Sequence, residues 1–297
     1  MSVIVKTEAV VLKSIKFRET SKIITLFTRE LGMISAIVKG ARGTKSTYGM
    51  SLEPMSHIAT MIYDKKGREV QLAAQCETLH TFRGLYEDLE KMQAGMQVIE
   101  MVRCAAHEQE KNTELFRLIA GALSDINDAD INCATQNVPN MLLKFEIEFA
   151  SVLGFAPNFA HCLSCGKDVF RGNKTGESLN FYLEKGAPLC GSCDPIAGRK
   201  VAIHLNALRA LNQLSDGEGI KSAAGVVIDV STGQEIDAFL WNFLQYHVSG
   251  IRPLRSKKVF ASMGKIDPLP SPDKVGGIPS PPWGEGRKSM KTSIDEI

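Results

Sequence analysis

The sequence contains no apolar run that approaches the roughly 18 residues needed to span a membrane. Its opening stretch, MSVIVKTEAVVLKS, lacks the cleavage pattern of a secretory signal peptide. Its seven cysteines are odd in number and four of them fall in two close pairs, which fits a reducing compartment better than a disulfide framework. We therefore expect a soluble, cytoplasmic protein with no membrane partner.

The common motifs of catalytic sites are also absent from the sequence. The glycine-rich stretch IVKGARGTKSTYG at 37–49 would need glycines where Lys39 and Thr44 stand if Lys45 were the lysine of a phosphate-binding loop. The stretch HEQEK at 107–111 ends in lysine, so it is not the H-E-x-x-H motif of zinc proteases, and no G-x-S-x-G motif occurs. We predict that the protein is not an enzyme.

The net charge of +2 is small, but the charges are unevenly distributed along the chain. Residues 1–80 carry 12 basic and 7 acidic side chains, a net charge of +5. Residues 81–160 carry a net charge of −6, and residues 161–297 a net charge of +3. Basic ends around an acidic middle favour a nucleic-acid surface that is built from the outer parts of the chain.

The first 80 residues show the apolar pattern of short strands. Five such segments, EAVVLK, KIITLF, MISAIV, HIATMIY and REVQLAA, are separated by turn sequences that include RELG at 29–32 and DKKG at 64–67. Five short strands at this spacing predict a small closed barrel, because closure removes exposed strand edges. We predict an oligonucleotide-binding (OB) barrel at 1–80.

After residue 80 the apolar residues recur every three or four positions, which predicts helices. The predicted helices fall at 82–106, 113–126, 141–155, 204–214 and 233–248. In the third of these, the predicted polar face carries Lys144, Glu148 and Ser151, and the predicted apolar face carries Leu142, Phe145, Phe149 and Val152. We assign 81–263 to a helical domain, and 264–297, with six of the twelve prolines, to a disordered tail.

Four cysteines predict a metal site inside the helical domain, within a zinc finger at 161–195. Cys162 and Cys165 form one C-x₂-C pair, and Cys190 and Cys193 form another after 24 intervening residues. Two such pairs supply the four thiolates of a tetrahedral structural zinc site. Redox-active or buried unpaired thiols are the alternatives, and His161 or His204 could replace a ligand. We expect Cys76, Cys104 and Cys133 to be ordinary small apolar residues.

Two groups of cations are candidates for contact with DNA. The first group lies in the barrel and consists of Lys16, Arg18, Lys22, Lys39, Arg42 and Lys45. The second follows the last predicted helix and consists of Arg252, Arg255, Lys257 and Lys258, with no acidic residue between 251 and 263. Such cations neutralise phosphates and leave base edges free. A solvated turn for the first group and helix capping for the second are the alternatives, and Phe17 and Tyr48 could either stack on bases or pack internally.

Three stretches of the chain resemble the RecO family of DNA repair and recombination mediator proteins. They are the opening segment with its KGAR-x-x-KS stretch at 39–46, the segment KFEIEFASVLGFAPNFAHCLSCG, and HVSGIRPLRSK near the end. The resemblance implies an α+β protein in which an N-terminal five-stranded OB-fold barrel precedes an all-helical domain with an inserted Cys₄ zinc finger.

The same resemblance implies a function in recombinational repair of DNA damage through the RecFOR pathway. It implies binding of single- and double-stranded DNA, annealing of complementary strands, and loading of RecA onto DNA coated with single-strand-binding protein. The implied partners are RecR, the C-terminal tail of single-strand-binding protein and, indirectly, RecA. The rival interpretations are a zinc-dependent nuclease or deaminase and a zinc-ribbon transcription or translation factor.

Overall fold

The apolar segments at the start of the chain form a closed five-stranded barrel. A computed structural model describes residues 2–43, 46–131, 137–171, 176–193 and 195–263. The strands pair in the order β1-β2-β3-β5-β4, and β3 and β5 are the one parallel pair in the barrel. The strand bounds are β1 Val3–Phe17, β2 Ser21–Thr28, β3 Gly32–Val38, β4 His57–Asp64 and β5 Val70–His80. The predicted OB-fold barrel is thus confirmed.

Strand β1 closes the barrel because its two halves pair with different strands. Residues from Val3 to Val10 pair with β4, and residues from Ala9 to Phe17 pair with β2. Successive strand residues point to opposite faces. Ala9 therefore lies in the barrel interior, whereas its neighbour Val10 packs against the helices, and both are fully buried. This two-sided burial explains why the segment is apolar at consecutive positions.

Gly32, at the turn between β2 and β3, allows the barrel to approach the helical part closely. Its backbone has φ +66°, and a Cβ atom at this position would lie 2.0 Å from the carbonyl oxygen of Glu110. In the same place the N–H of Gln109 donates to the carbonyl of Met33 at 3.0 Å. A side chain at residue 32 would therefore separate the two parts.

Helices form the part of the chain that follows the barrel. They are α1 Gly84–Glu87, α2 Leu89–Ala105, α3 Thr113–Asp128, α4 Val138–Val152, α5 Leu205–Ser215, α6 Val230–His247 and α7 Arg255–Met263. Two 3₁₀ helices lie at Gly49–Leu52 and Ile220–Gly225. Side chains of Asp88, Asn112, Asn137 and Asp229 cap the starts of α2, α3, α4 and α6. The five predicted helices are present, but α7 was not predicted, because its segment has few apolar residues.

A small sheet lies between α4 and α5 in the sequence. Its strands are β6 Ser178–Tyr182, β7 Ala187–Leu189 and β8 Lys200–His204, in the antiparallel order β7-β6-β8. Strand β7 ends directly before Cys190, so the sheet carries the second cysteine pair.

One apolar core runs from the outer face of the barrel through the helices, and a second fills the barrel interior. The chain up to Phe260 accordingly forms one compact unit, and the domain bounds given above stay predictions. None of the helices that the structure describes combines the length and apolarity required for a membrane span. The predicted tail at 264–297 lies outside the described residues, as do Lys45 and Cys133.

The prediction for the polar face of α4 is wrong at Lys144. This side chain is fully buried, whereas Phe145 and Phe149 are buried as predicted. The Lys144 ammonium donates to the carbonyl oxygens of Leu214, Asp216 and Gly217 at 2.8–3.0 Å. The last carbonyls of a helix have no partner within that helix. Lys144 therefore caps the end of α5 from inside the protein.

We expect Lys144→Met to lower the free energy of unfolding by about 3 kcal/mol, because it leaves several carbonyl groups without a buried donor. Urea denaturation followed by circular dichroism measures this change. Lys111→Met, at an exposed lysine, is the matched control and is expected to stay within about 0.5 kcal/mol of the wild type. Equal stability of the two variants would contradict the capping role.

Candidate functional site

The four predicted cysteine ligands come together in the structure. The sulfur atoms of Cys162, Cys165, Cys190 and Cys193 all lie within 4.8 Å of one another. Individual Sγ–Sγ distances are 3.9 Å for Cys162 and Cys193, 3.8 Å for Cys165 and Cys190, and 3.5 Å for Cys190 and Cys193. Four thiolates around zinc, with Zn–S bonds of about 2.3 Å, have S–S separations of about 3.8 Å. The four sulfurs therefore fit a tetrahedral metal ion of this size.

Tight turns hold each cysteine pair in this position. In the first, the N–H of Gly166, which has φ +69°, donates to the carbonyl of Cys162 at 2.9 Å. In the second, the N–H of Cys193 donates to the carbonyl of Cys190 at 3.2 Å. The two turns are joined by the N–H of Leu163, which donates to the carbonyl of Pro188 at 2.8 Å. The first pair is thus fixed to the end of β7.

Backbone N–H groups favour a thiolate at Cys162. Burial by itself would raise the pKa of this thiol, but N–H groups of Cys165, Cys190 and Ser164 that donate to its sulfur lower the pKa to about 6. The pKa of Cys193 is raised instead, because its thiol shares hydrogen bonds with the sulfurs of Cys190 and Cys165. A thiolate at one of the four adjacent sulfurs makes deprotonation of a second thiol less favourable. A bound cation would remove this electrostatic repulsion.

The four cysteines can hold a metal ion, but they leave no coordination position for water or substrate. Catalytic zinc sites keep one position open for water, whereas four cysteines occupy all positions of a tetrahedral ion. In the part of the chain that the structure describes, no second cluster of this kind is found. His204 contacts Glu235 through Nδ1 at 2.9 Å, and neither His204 nor His161 belongs to the sulfur cluster.

The two other described cysteines lie away from the cluster. Cys76 is buried in the barrel, where burial raises the pKa of its thiol. Cys104 is half-buried on α2. Both positions agree with small apolar residues.

The structure brings most of the barrel cations to one end of the barrel. Lys16 pairs in register with Lys22 across β1 and β2, and Arg18, Lys39 and Arg42 surround the turn between these strands. The Arg42 N–H donates to the carbonyl of Thr20 at 2.9 Å, and its guanidinium donates to the carbonyl of Arg18 at 3.0 Å. Lys16, Arg18, Lys39 and Arg42 are exposed.

Lys22 differs from the other members of this group. Its ammonium lies 2.6 Å from a Glu53 carboxylate oxygen, and its side chain is 15% exposed. Glu53 therefore compensates much of its charge. Phe17 is half-buried and lies 5.3 Å below the Arg18 guanidinium, and Tyr48 packs against the barrel core.

The second group of cations lies at the start of α7. Arg252, Arg255 and Lys258 are exposed, but both carboxylate oxygens of Asp237 lie 2.5 Å from the Lys257 ammonium. A Glu100 carboxylate accepts the N–H groups of Arg255 and Ser256 at 2.9 and 3.0 Å, and so caps this helix. Lys257 is thus compensated within the protein, whereas three cations of the group face solvent.

A third group of cations was not found from the sequence. Lys185, Arg199 and Lys200 are exposed near the junction of β6 and β8, where the N–H of Leu183 donates to the carbonyl of Arg199 at 3.0 Å. Strand pairing brings the segment that carries Arg199 and Lys200 beside the end of β6, which Lys185 follows. The doublet Arg199-Lys200, which directly follows a glycine, was the available sequence signal.

Comparison with known proteins finds similarity along most of the chain. The family described as "Recombination protein O N terminal" matches residues 1–82, and "Recombination protein O C terminal" matches residues 86–258. A protein of Rhodopirellula baltica named "DNA repair protein RecO" is 32% identical over 207 residues, 70% of this chain and 73% of its own. The protein of the same name from Salinibacter ruber is 28% identical over 267 residues, 89% of this chain and 96% of its own.

Proposed function

Because this chain belongs to the RecO family of DNA repair proteins, we propose that it binds single- and double-stranded DNA and anneals complementary strands. The observation that carries the proposal is the group of four exposed cations, Lys16, Arg18, Lys39 and Arg42, at one end of the barrel. Cations at this density suit the phosphate backbone, which supplies most of the affinity for DNA of unspecified sequence.

Annealing by this means requires no nucleotide and no bond cleavage. Two strands repel each other through their phosphates, and cations that neutralise those phosphates lower the barrier to their approach. Contacts to phosphates leave the base edges free to pair. The protein in this proposal acts on the encounter of the strands and not as an enzyme.

In this proposal the four cysteines bind structural Zn²⁺. The sulfur separations match those of a zinc–thiolate tetrahedron, and the closed ligand set leaves no position for a reacting water. The cysteines would hold the two turns and the β6–β8 sheet together, while the DNA contacts come from other side chains.

The partners that we propose are RecR, the C-terminal tail of single-strand-binding protein and, indirectly, RecA. Through them the protein would help to load RecA onto coated single strands in the cytoplasm, within the RecFOR pathway of recombination. Arg252, Arg255 and Lys258, which are exposed near α7, are proposed as a further set of phosphate contacts, with smaller contributions from Lys22 and Lys257.

Substitution of two barrel cations tests the proposal. Arg18 and Lys39 line one surface cleft, together with Glu19 and Thr20. We expect Arg18→Ala/Lys39→Ala to weaken binding of a fluorescent oligo(dT) about tenfold at 0.15 M salt. The plot of log K against log salt has a negative slope, and its magnitude should decrease by about 1.4, since each lost single-strand phosphate contact removes about 0.7. Fluorescence anisotropy over a salt series gives both quantities.

A matched control removes two exposed cations elsewhere. Lys111→Ala/Arg117→Ala, at the loop before α3 and on that helix, should leave the affinity and the salt slope unchanged. Annealing of complementary oligonucleotides coated with single-strand-binding protein, without nucleotide, should slow in the barrel variant alone. Unchanged binding in both variants would refute the proposed role of the barrel cations.

A further inference from the structure

An aromatic surface lies beside the β6–β8 sheet, away from the barrel cations in the sequence. Tyr246 is 37% exposed and Phe155 is 36% exposed, although both have large apolar rings. They contact His247 from two directions, with ring centroids 5.0 Å and 4.5 Å from the His247 ring. His247 thus links two exposed rings, each of which offers a face on which a planar group can stack.

Cations border this aromatic surface. The Arg199 guanidinium carbon lies 5.9 Å from the centre of the Tyr246 ring, whereas Lys200, the next residue and the partner of Tyr182 in the sheet, lies on the opposite face. Lys185 is exposed in the turn after β6, where its partner is the exposed Glu184 at 3.4 Å. Exposed pairs of this kind contribute little energy, so Lys185 remains open to a stronger anion.

Hydrogen bonds join the cations and the aromatic rings into one surface. Leu183 donates its N–H to the carbonyl of Arg199 at 3.0 Å, and the carbonyl of Leu183 lies 2.8 Å from Nε2 of His247. The turn after β6 is thus fixed both to the segment that carries Arg199 and to the end of α6. We name Lys185, Arg199, Tyr246 and Phe155 the finger-base surface.

We infer that the finger-base surface binds a single strand of DNA, with phosphates on Arg199 and Lys185 and unstacked bases on Tyr246 and Phe155. Aromatic side chains interleaved with cations are the arrangement by which proteins bind single strands of any sequence. In a duplex the base faces are already stacked on one another, so exposed rings favour a single strand over a double one.

This inference rests on the proposed function and assigns it a second site. An annealing protein that holds two strands needs two surfaces, and the barrel cations form one of them. The finger-base surface would form the other, and stacking would hold bases unpaired until the complementary strand arrives. The two surfaces differ in kind, since the barrel site relies on cations and the finger-base site adds two exposed rings.

Variants at each surface separate the two sites. We expect Arg199→Ala/Lys185→Ala to reduce the number of oligo(dT) strands bound per chain from two to one, and to slow annealing at least tenfold. Tyr246→Leu should also weaken the second binding event, about fivefold, with no change in the salt slope, because stacking involves no counterion release. Tyr246→Phe keeps the ring and should retain wild-type binding. Titration by anisotropy and a stopped-flow annealing assay measure these effects.

Each outcome decides between the proposals. If Arg199→Ala/Lys185→Ala and Tyr246→Leu anneal at the wild-type rate and bind two strands, while Arg18→Ala/Lys39→Ala is impaired, the finger-base surface is not a DNA site and the proposed function stands. If the barrel and finger-base variants all behave as wild type, neither surface is a DNA site. Wild-type protein that neither binds nor anneals DNA would refute the proposed function itself. Melting curves of the full-length variants check folding, and Tyr246→Phe against Tyr246→Leu distinguishes stacking from packing.

Discussion

Replacement of Cys190 by serine is expected to abolish the proposed zinc binding and to lower the melting temperature by about 10 °C or more. The Cys190 sulfur lies within 3.8 Å of both Cys165 and Cys193, so its loss removes a ligand from the middle of the cluster. Around these cysteines Ser164, Cys165 and Gly166 are exposed, which leaves little apolar burial to hold the turns. In the proposed role of the cysteines, metal ligation would therefore supply much of the local stability.

The measurement combines elemental analysis of the purified protein with thermal melting followed by circular dichroism. Wild-type protein should contain close to one zinc per chain, and a strong chelator should lower its melting temperature as far as the substitution does. Cys104→Ser is the matched control, because Cys104 lies on α2 outside the cluster, and it should keep both the zinc and most of the stability. Fully active wild-type protein without bound metal would refute the zinc assignment.

Glu146→Gln is expected to stabilise the protein by about 4 kcal/mol at pH 8.5 and by about 2 kcal/mol at pH 6. Glu146 is fully buried on α4, and its Oε2 atom has no hydrogen-bond partner among the described residues. Burial, and to a smaller extent the charge of Asp237, raise the pKa of this carboxyl to about 8, against the opposing effect of Lys257. Glutamine has the same shape and stays neutral at every pH.

The direction of the pH dependence follows from the raised pKa. The folded protein keeps the Glu146 proton up to about pH 8, whereas the unfolded chain releases it near the ordinary glutamate pKa of 4.5. The contribution of protonated Glu146 to the stability of the wild type is therefore greatest below pH 4.5. This contribution declines as the pH rises above 4.5 and is lost as the pH passes through about 8.

Urea denaturation at several pH values compares the wild type with the variant. The difference in unfolding free energy should grow with pH between 6 and 8.5, and comparison of the two proteins cancels the titrating groups that do not interact with Glu146. Glu114→Gln, at an exposed carboxylate on α3, should show no growth of this kind. A constant difference between Glu146→Gln and the wild type would mean that Glu146 is ionised in the folded protein.

The fold and the metal site followed from local patterns in the sequence. The barrel strands have apolar residues at the spacing that a small barrel requires, and the turns RELG and DKKG lie where strands reverse direction. The two C-x₂-C pairs predicted a cluster because each pair already fixes two sulfurs within one turn. Each of these features depends on residues that are close together in the chain.

Helix α4 shows where such patterns are insufficient. Periodicity placed Lys144 on a solvent-facing side, since charged residues usually lie there. In the structure the end of α5 covers this position and supplies three carbonyl oxygens. Glu146, two residues further on, is buried near Asp237 and Lys257. The spacing of apolar residues identifies a face of a helix but does not identify what packs against it.

The sequence by itself determined the barrel, the main helices, the cysteine cluster and the cationic character of both ends of the chain. Only the tertiary structure decided which cations are compensated, as Lys22 is by Glu53 and Lys257 by Asp237, and which converge, as Arg199 does with Tyr246. The physical reason is the distance along the chain over which the residues interact. Strand and helix periods and metal knuckles are set by neighbours along the chain, whereas ion pairs and surfaces depend on how distant elements pack.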